Sequence, residues 1–146
     1  MTSATASSIS SLLLAAGLTI GCERTTPIDQ IHREIRAIHG RVVSTRGKVT
    51  HAAGFFGRSL YRLTDSADPR GTGVVVYGAQ SAAPTVGANV SIRGLVCQFG
   101  VVQSTQLIML FENAPSKPGD PCDLSGELPI NWWSLLSLII GRWLAA

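Results

Sequence analysis

The side chains best equipped for chemistry in this chain are cationic and aromatic. Residues 40–104 hold Arg41, Arg46, Lys48, Arg58, Arg62, Arg70 and Arg93 against Asp65 and Asp68, an excess of five positive charges, whereas residues 105–146 sum to minus two. Within the basic stretch, His51-Ala-Ala-Gly54-Phe55-Phe56-Gly57-Arg58 reads as a glycine-framed loop with two adjacent rings, Lys48 before it and Arg62 after it. Rings beside a cationic track suit an unpaired anionic polymer, whose bases stack on the rings while its phosphates meet the cations. The same two phenylalanines have a second use, plugging one end of a small barrel, because such barrels are filled by side chains. Arg46, Lys48, Phe55, Phe56, Arg58, Arg62, Tyr77 and Arg93 are therefore the candidate ligand-binding residues, facing either a ligand or partner protein or a single-stranded nucleic acid.

Other chemistries lack their residues. No Ser-His-Asp set, paired carboxylates or phosphate loop is present, and Gly71-Thr-Gly73 lacks the Gly-Lys-Ser/Thr half of such a loop. The three cysteines and three histidines show no Cys-x-x-Cys or His-x-x-x-His spacing, and His32 and His39, seven apart, have no third ligand at convincing spacing. Asp65 reads as a turn-holding side chain, and Tyr61, Leu63, Val90 and Ile92 read as core by their alternation. The expectation is a binding protein that is not an enzyme, with no metal and no cofactor.

Positioning these residues requires strands. Thr26-Pro27 followed by Asp29 gives a helix start with Thr26 as N-cap. Ile28, Ile31, Ile35 and Ile38 share a helical face, and Gly40 ends it, so one helix of about eleven residues is expected. From Gly40 the period becomes two, and a pattern occurs twice: Gly40-Arg-Val-Val43-Ser44-Thr-Arg46-Gly47-Lys-Val49 and Gly87-Ala-Asn-Val90-Ser91-Ile-Arg93-Gly94-Leu-Val96. In each copy valine and glycine point to the buried side and Ser and Arg to the other. A glycine on a buried strand face permits a sharp bend or a close backbone approach, as a small closed barrel needs. Ser59–Asp65, Val74–Gly78 and Thr105–Glu112 supply three more strands. Ser66–Gly73 and Phe99–Ser104 read as turns, and Ala79–Val86 as a loop.

Five short strands in this order predict a mainly β chain folded as a five-stranded Greek-key barrel, with a short N-terminal helix and a C-terminal apolar helix. The motifs G-x-x-V-x-x-x-G-x-V, G-R-x-x-Y-x-L-x-D, G-x-V-V-V-Y-G and P-x-V-G-x-x-V-x-I-R-G-x-V resemble those of bacterial single-domain OB-fold proteins of the nucleic-acid-binding, tRNA-anticodon-binding-like type. The resemblance covers residues 40–112. It implies a barrel that binds through the strand 1–2 loop and the strand 2–3 face. The cadence is also similar to that of the haem chaperones of cytochrome c maturation, but no histidine follows His51, so haem attachment is not implied.

The ends of the chain concern its address. Residues 1–22 carry no charge and residues 130–146 carry only Arg142. Ile9–Ile20 is an apolar run of signal-peptide length, about twelve residues and too short to span a bilayer. Gly21-Cys22 after it resembles a bacterial lipobox, with Cys22 as the acylated residue; the alternative is an uncleaved N-terminal anchor or a mis-called start codon, with Cys22 a small apolar residue near the membrane. Either reading exports the domain to the bacterial cell envelope, held at the membrane and facing the periplasm or the exterior. Lipidation of Cys22 leaves Cys97 and Cys122, either bridged, worth roughly 3 kcal/mol, or buried as free thiols. The chain divides into 1–21 (signal peptide), 22–39 (tether and helix), 40–112 (barrel), 113–130 (proline-rich linker) and 131–146 (apolar helix). In the last, Trp132, Leu135, Leu136, Ile139, Ile140 and Trp143 form a stripe while Trp133, Leu138 and Leu144 lie off it. A helix apolar all round is buried in something. Trp132, Trp133 and Trp143 are the candidate membrane residues, with docking on the barrel or a second copy as the alternative. The membrane reading expects the tail's removal to cost little stability.

Overall fold

The two copies of the repeated pattern turn out to be partners. The computed structural model describes residues 24–65, 73–114, 119–123 and 131–145. In it β1 (Val42–Phe55) and β4 (Asn89–Val102) run antiparallel, with Val43 opposite Gly94 and Gly47 opposite Val90. Each copy's glycine therefore faces the other's valine. The close approach is real: a Cβ on Gly47 would lie 2.7 Å from the Thr64 carbonyl oxygen and 2.8 Å from Ile28 Cδ1, and one on Gly94 3.1 Å from the Phe111 carbonyl oxygen.

With β2 (Arg58–Thr64), β3 (Val74–Tyr77) and β5 (Thr105–Phe111), the strands close a barrel in the order β1-β2-β3-β5-β4. The β3–β5 pair is parallel and the rest are antiparallel. Strand alternation then sorts the apolar residues into two cores. Val49, Tyr61, Leu63, Val74, Val76, Ile92, Val96, Ile108 and Leu110 come from all five strands and meet Ile28, Ile31 and Ile35, which marks the barrel interior. Leu60, Val75, Tyr77, Leu95, Cys97, Met109 and Phe111 lie at the alternate positions, on the outer face of β2, β3, β5 and β4. That outer face is covered by the C-terminal helix.

The N-terminal helical segment has the expected length of about eleven residues but is broken. It is two pieces, α1 (Ile28–Arg33) and α2 (Ile35–Ile38), separated at Glu34. Thr26 does not cap it; Pro27 holds the cap position with no side-chain bond, because Thr26 is committed to the barrel. Its N–H donates to the Ser44 carbonyl at 2.7 Å, and its own carbonyl accepts from Thr45 Oγ1 at 2.7 Å. Gly40 does end the helical segment, at φ +81°.

Two expected loops are largely strand. β1 continues to Phe55 with a bulge between Val49 and His51, leaving Phe56-Gly57 as a two-residue turn with both φ positive, the geometry that matches hairpin twist. Likewise β4 runs through Phe99 to Val102, and only Gln103-Ser104 turn. Readings of residues 1–21, Cys22, the Ser66–Thr72 part of the Ser66–Gly73 turn and most of the linker lie outside the described residues.

Helix α3 (Trp132–Ala145) docks. Leu136 and Ile140 are buried in the outer-face core, and Phe99 packs against Trp132 and Trp133 at ring separations of 5.5 and 6.2 Å. The expectation that the tail is a membrane contact rather than core is corrected here in its second half, since one side of the helix closes an apolar sheet face, the docking alternative. Its other side carries Leu135 and Leu138, 43% and 68% exposed. Among the described residues no helix is long and apolar enough to cross a membrane. Cys97 and Cys122 form a disulfide, Cα atoms 5.7 Å apart, tying residues 119–123 to β4.

Candidate ligand-binding cleft and basic face

The eight residues singled out as ligand-binding do not form one site. Register separates them into three groups.

Phe55, Arg58 and Tyr77 hold the structure together. Phe55 is buried beside Tyr77 and Phe56, so its ring plugs that end of the outer-face core. The Arg58 guanidinium lies 4.5 Å above the Tyr77 ring. Its Nε donates to the Gly78 carbonyl and its Nη2 to the Glu112 carbonyl, both at 2.6 Å. An arginine that spans two strand ends in this way is a clamp rather than an open cation. Burial raises the Tyr77 phenol pKa, against the opposing charge of Arg58. Phe56, at the turn, keeps its ring 46% exposed.

Arg62 belongs to a cleft. It lies on the outer face of β2, opposite His51 of β1 and Val75 of β3. Together with Val75, Val102, Leu107, Ile140 and Leu144 it lines a space of about 410 Å³ between α3 and the sheet, rimmed by Thr105, Gln106 and His32. Arg62 Nη1 donates to Thr50 Oγ1 at 3.4 Å, and burial lowers the guanidinium pKa. His32 Nε2 donates to the Gly73 carbonyl at 2.7 Å, fixing that ring at the rim. Beside the cleft, His51 stacks on Trp143 with centroids 5.6 Å apart. Burial, then the nearby charge of Arg62, lowers the His51 pKa. The cleft is of small-molecule size, mostly apolar, with a cation in its wall.

Arg46, Lys48 and Arg93 form an exposed basic face on β1 and β4, away from α3. The repeated pattern places each arginine opposite the other copy's serine, Arg46 facing Ser91 and Arg93 facing Ser44. A shallow depression of about 270 Å³ lies among these four side chains, with Thr25 at its edge.

Two polar clusters remain. At the barrel end Tyr61 donates to Glu112 Oε1 at 2.9 Å, and burial together with that carboxylate raises the phenol pKa. Donor atoms of His39, Asp120 and Cys122 lie within 4.8 Å of one another. The Cys122 sulfur is spent in the disulfide, and His39 Nδ1 accepts from the Gln98 N–H at 3.0 Å, so as the chain stands this cluster is no metal centre. His32 and His39, engaged with Gly73 and Gln98, do not share a site.

Sequence reasoning found Arg62 but missed its company. The cleft's other wall comes from α3, whose approach to β2 is a long-range packing event. The available signal was the excess of apolar residues at Leu60, Val75 and Met109, on strand faces a solvated barrel would leave polar.

No family model matches the chain, and no curated protein matches it. Similar solved structures include an OBody bound to hen egg-white lysozyme, 21% identical over 52% of this chain and 79% of that one, TM-score 0.42. A second OBody bound to the same lysozyme is 19% identical over 52% and 76%, TM-score 0.37. An aspartyl tRNA synthetase from Entamoeba histolytica is 13% identical over 56% of this chain but 19% of its own length, TM-score 0.42.

Proposed function

We propose that this chain is a non-enzymatic OB-fold binding module of the bacterial cell envelope, held at the membrane by its N-terminal segment, which takes up a small amphipathic anion in the cleft beneath α3. The strand order with its parallel β3–β5 closure supports the OB assignment. The observation that carries the ligand reading is the 410 Å³ cleft itself, on the outer face of β2 and β3, with apolar walls and the Arg62 guanidinium among them. An apolar body gains by leaving water for Val75, Leu107 and Leu144, and an anionic head gains from the cation where water is scarce. A long polymer fits this face poorly, since α3 lies across it.

Anilinonaphthalene sulfonate, an apolar ring system carrying one anionic group, is the direct probe. Its fluorescence should rise saturably with the folded protein, and Arg62→Gln and Leu144→Trp should each weaken binding, one by removing the charge and the other by filling the space. Binding that neither substitution changes would place the dye elsewhere and overturn the cleft.

Single-stranded nucleic acid is the second reading, favoured by the exposed Phe56 ring. Oligonucleotide binding that falls steeply with salt and is lost in Phe56→Ala would move the conclusion there.

A further inference from the structure

The repeated Val-Ser-x-Arg-Gly pattern is absorbed neither by the cleft nor by the core. It builds a basic face where the described chain begins. Thr25 bridges Ser44 in parallel, so Arg24 enters directly beside β1. Arg24, Arg46, Lys48 and Arg93 are all exposed, the outward strand positions between them are Ser44, Asn89 and Ser91, and Glu23 is the acid that precedes Arg24 in the sequence. Two arginines set diagonally, each facing a serine hydroxyl across the ladder, around a depression of about 270 Å³, are complementary to a phosphodiester group.

We propose that this face lies against an anionic bilayer and binds the phosphates of its lipid headgroups. The inference rests on the membrane-held reading above, which supplies its geometry. Cys22 is three residues before Thr25, a reach of at most about 10 Å. Whatever fixes the chain near Cys22 therefore holds the basic face about one Debye length from the headgroups, where surface potential acts on it. The cleft under α3 is lined mainly from β2, β3 and β5, and meets β4 only at Val102, at the opposite end of that strand from Arg93, so it stays open to its ligand.

Full-length protein floated with vesicles of phosphatidylcholine, alone or mixed with phosphatidylglycerol, tests this over a salt series. The preference for anionic vesicles should collapse as salt rises. It should fall roughly tenfold to a hundredfold in Arg46→Gln/Lys48→Gln/Arg93→Gln, at about fivefold per charge near the surface. Arg33→Gln/Arg36→Gln, on α1 and α2, should keep the preference. A circular dichroism spectrum identical to wild type certifies the triple variant, and Arg46→Gln alone together with the wild-type salt series reads the same surface without it. A preference that survives the triple substitution, or that ignores salt, overturns the proposal. So does a single-stranded oligonucleotide that displaces the vesicles and depends on the same three residues. The tether is read separately: if Cys22→Ser matches wild type on neutral vesicles, acylation of Cys22 is wrong, while the anionic preference still reports on the face.

Discussion

Leu136→Ala separates a docked helix from one held by lipid. Leu136 is completely buried on the sheet-facing side of α3, and Leu138, two residues on, is 68% exposed. Truncating a buried leucine to alanine costs about 2–5 kcal/mol in lost transfer energy and residual cavity. The helix is peripheral, so the loss is capped by the energy of lifting it from the sheet, and the lower half of the range is expected, about 3 kcal/mol. At about 4 °C per kcal/mol for a chain of this size, the midpoint should fall by about 12 °C. Leu138→Ala should stay within about 0.5 kcal/mol. Thermal unfolding followed by both far-ultraviolet circular dichroism and tryptophan emission is the assay. All three tryptophans lie in α3, so emission follows the helix while dichroism follows the barrel. An emission transition that precedes the dichroism transition in Leu136→Ala would show that the helix lifts first. Equal shifts from the two substitutions, or none from Leu136→Ala, would refute docking in solution.

Gly47→Ala should destabilise by about 2–3 kcal/mol, read by urea unfolding, because the added carbon would press on Thr64 and Ile28 inside the barrel. Arg58→Ala should cost about 2–4 kcal/mol in the same measurement, from two short charge-assisted bonds and the Tyr77 stack, and Arg58→Lys should recover less than half of it. His51 has a folded pKa below its unfolded 6.5, so the unfolded state takes up its proton first. Stability from this group is therefore full above 6.5 and declines as pH falls below it, and His51→Gln should flatten that part of a midpoint-against-pH curve. Alkylation of protein kept from reductants should leave Cys97 and Cys122 unlabelled, and labelling of both would contradict the bridge.

The barrel was legible because its strands are written in period two, and the doubled pattern marked two strands of equivalent role. What escaped was that they pair with each other, since alternation fixes which side a residue faces but not its neighbour. Strand ends were misjudged where alternation fades: His51-Ala-Ala-Gly54 has the composition of a loop, yet ladder bonds to β2 hold it extended. Thr26 had the right chemistry for a cap and lost it to Ser44 and Thr45, a tertiary contact outweighing a local one. The candidate cations stood out in the sequence as a charge excess. Sequence could not divide them, because Arg58, Arg62 and Arg93 differ in what stands across the ladder and not in their own type.

The disulfide changes the kinetics of the roof over the cleft. From Phe111, where β5 ends, to Trp132, where α3 begins, the chain runs 21 residues, but from Cys122, pinned to β4, it runs 10. A helix that lifts away is thus leashed by half as much chain. Effective concentration falls with about the three-halves power of tether length, so the bridge raises it roughly threefold. Re-docking is faster by that factor without any added contact, and a reducing environment would slow it while leaving every residue of the cleft in place.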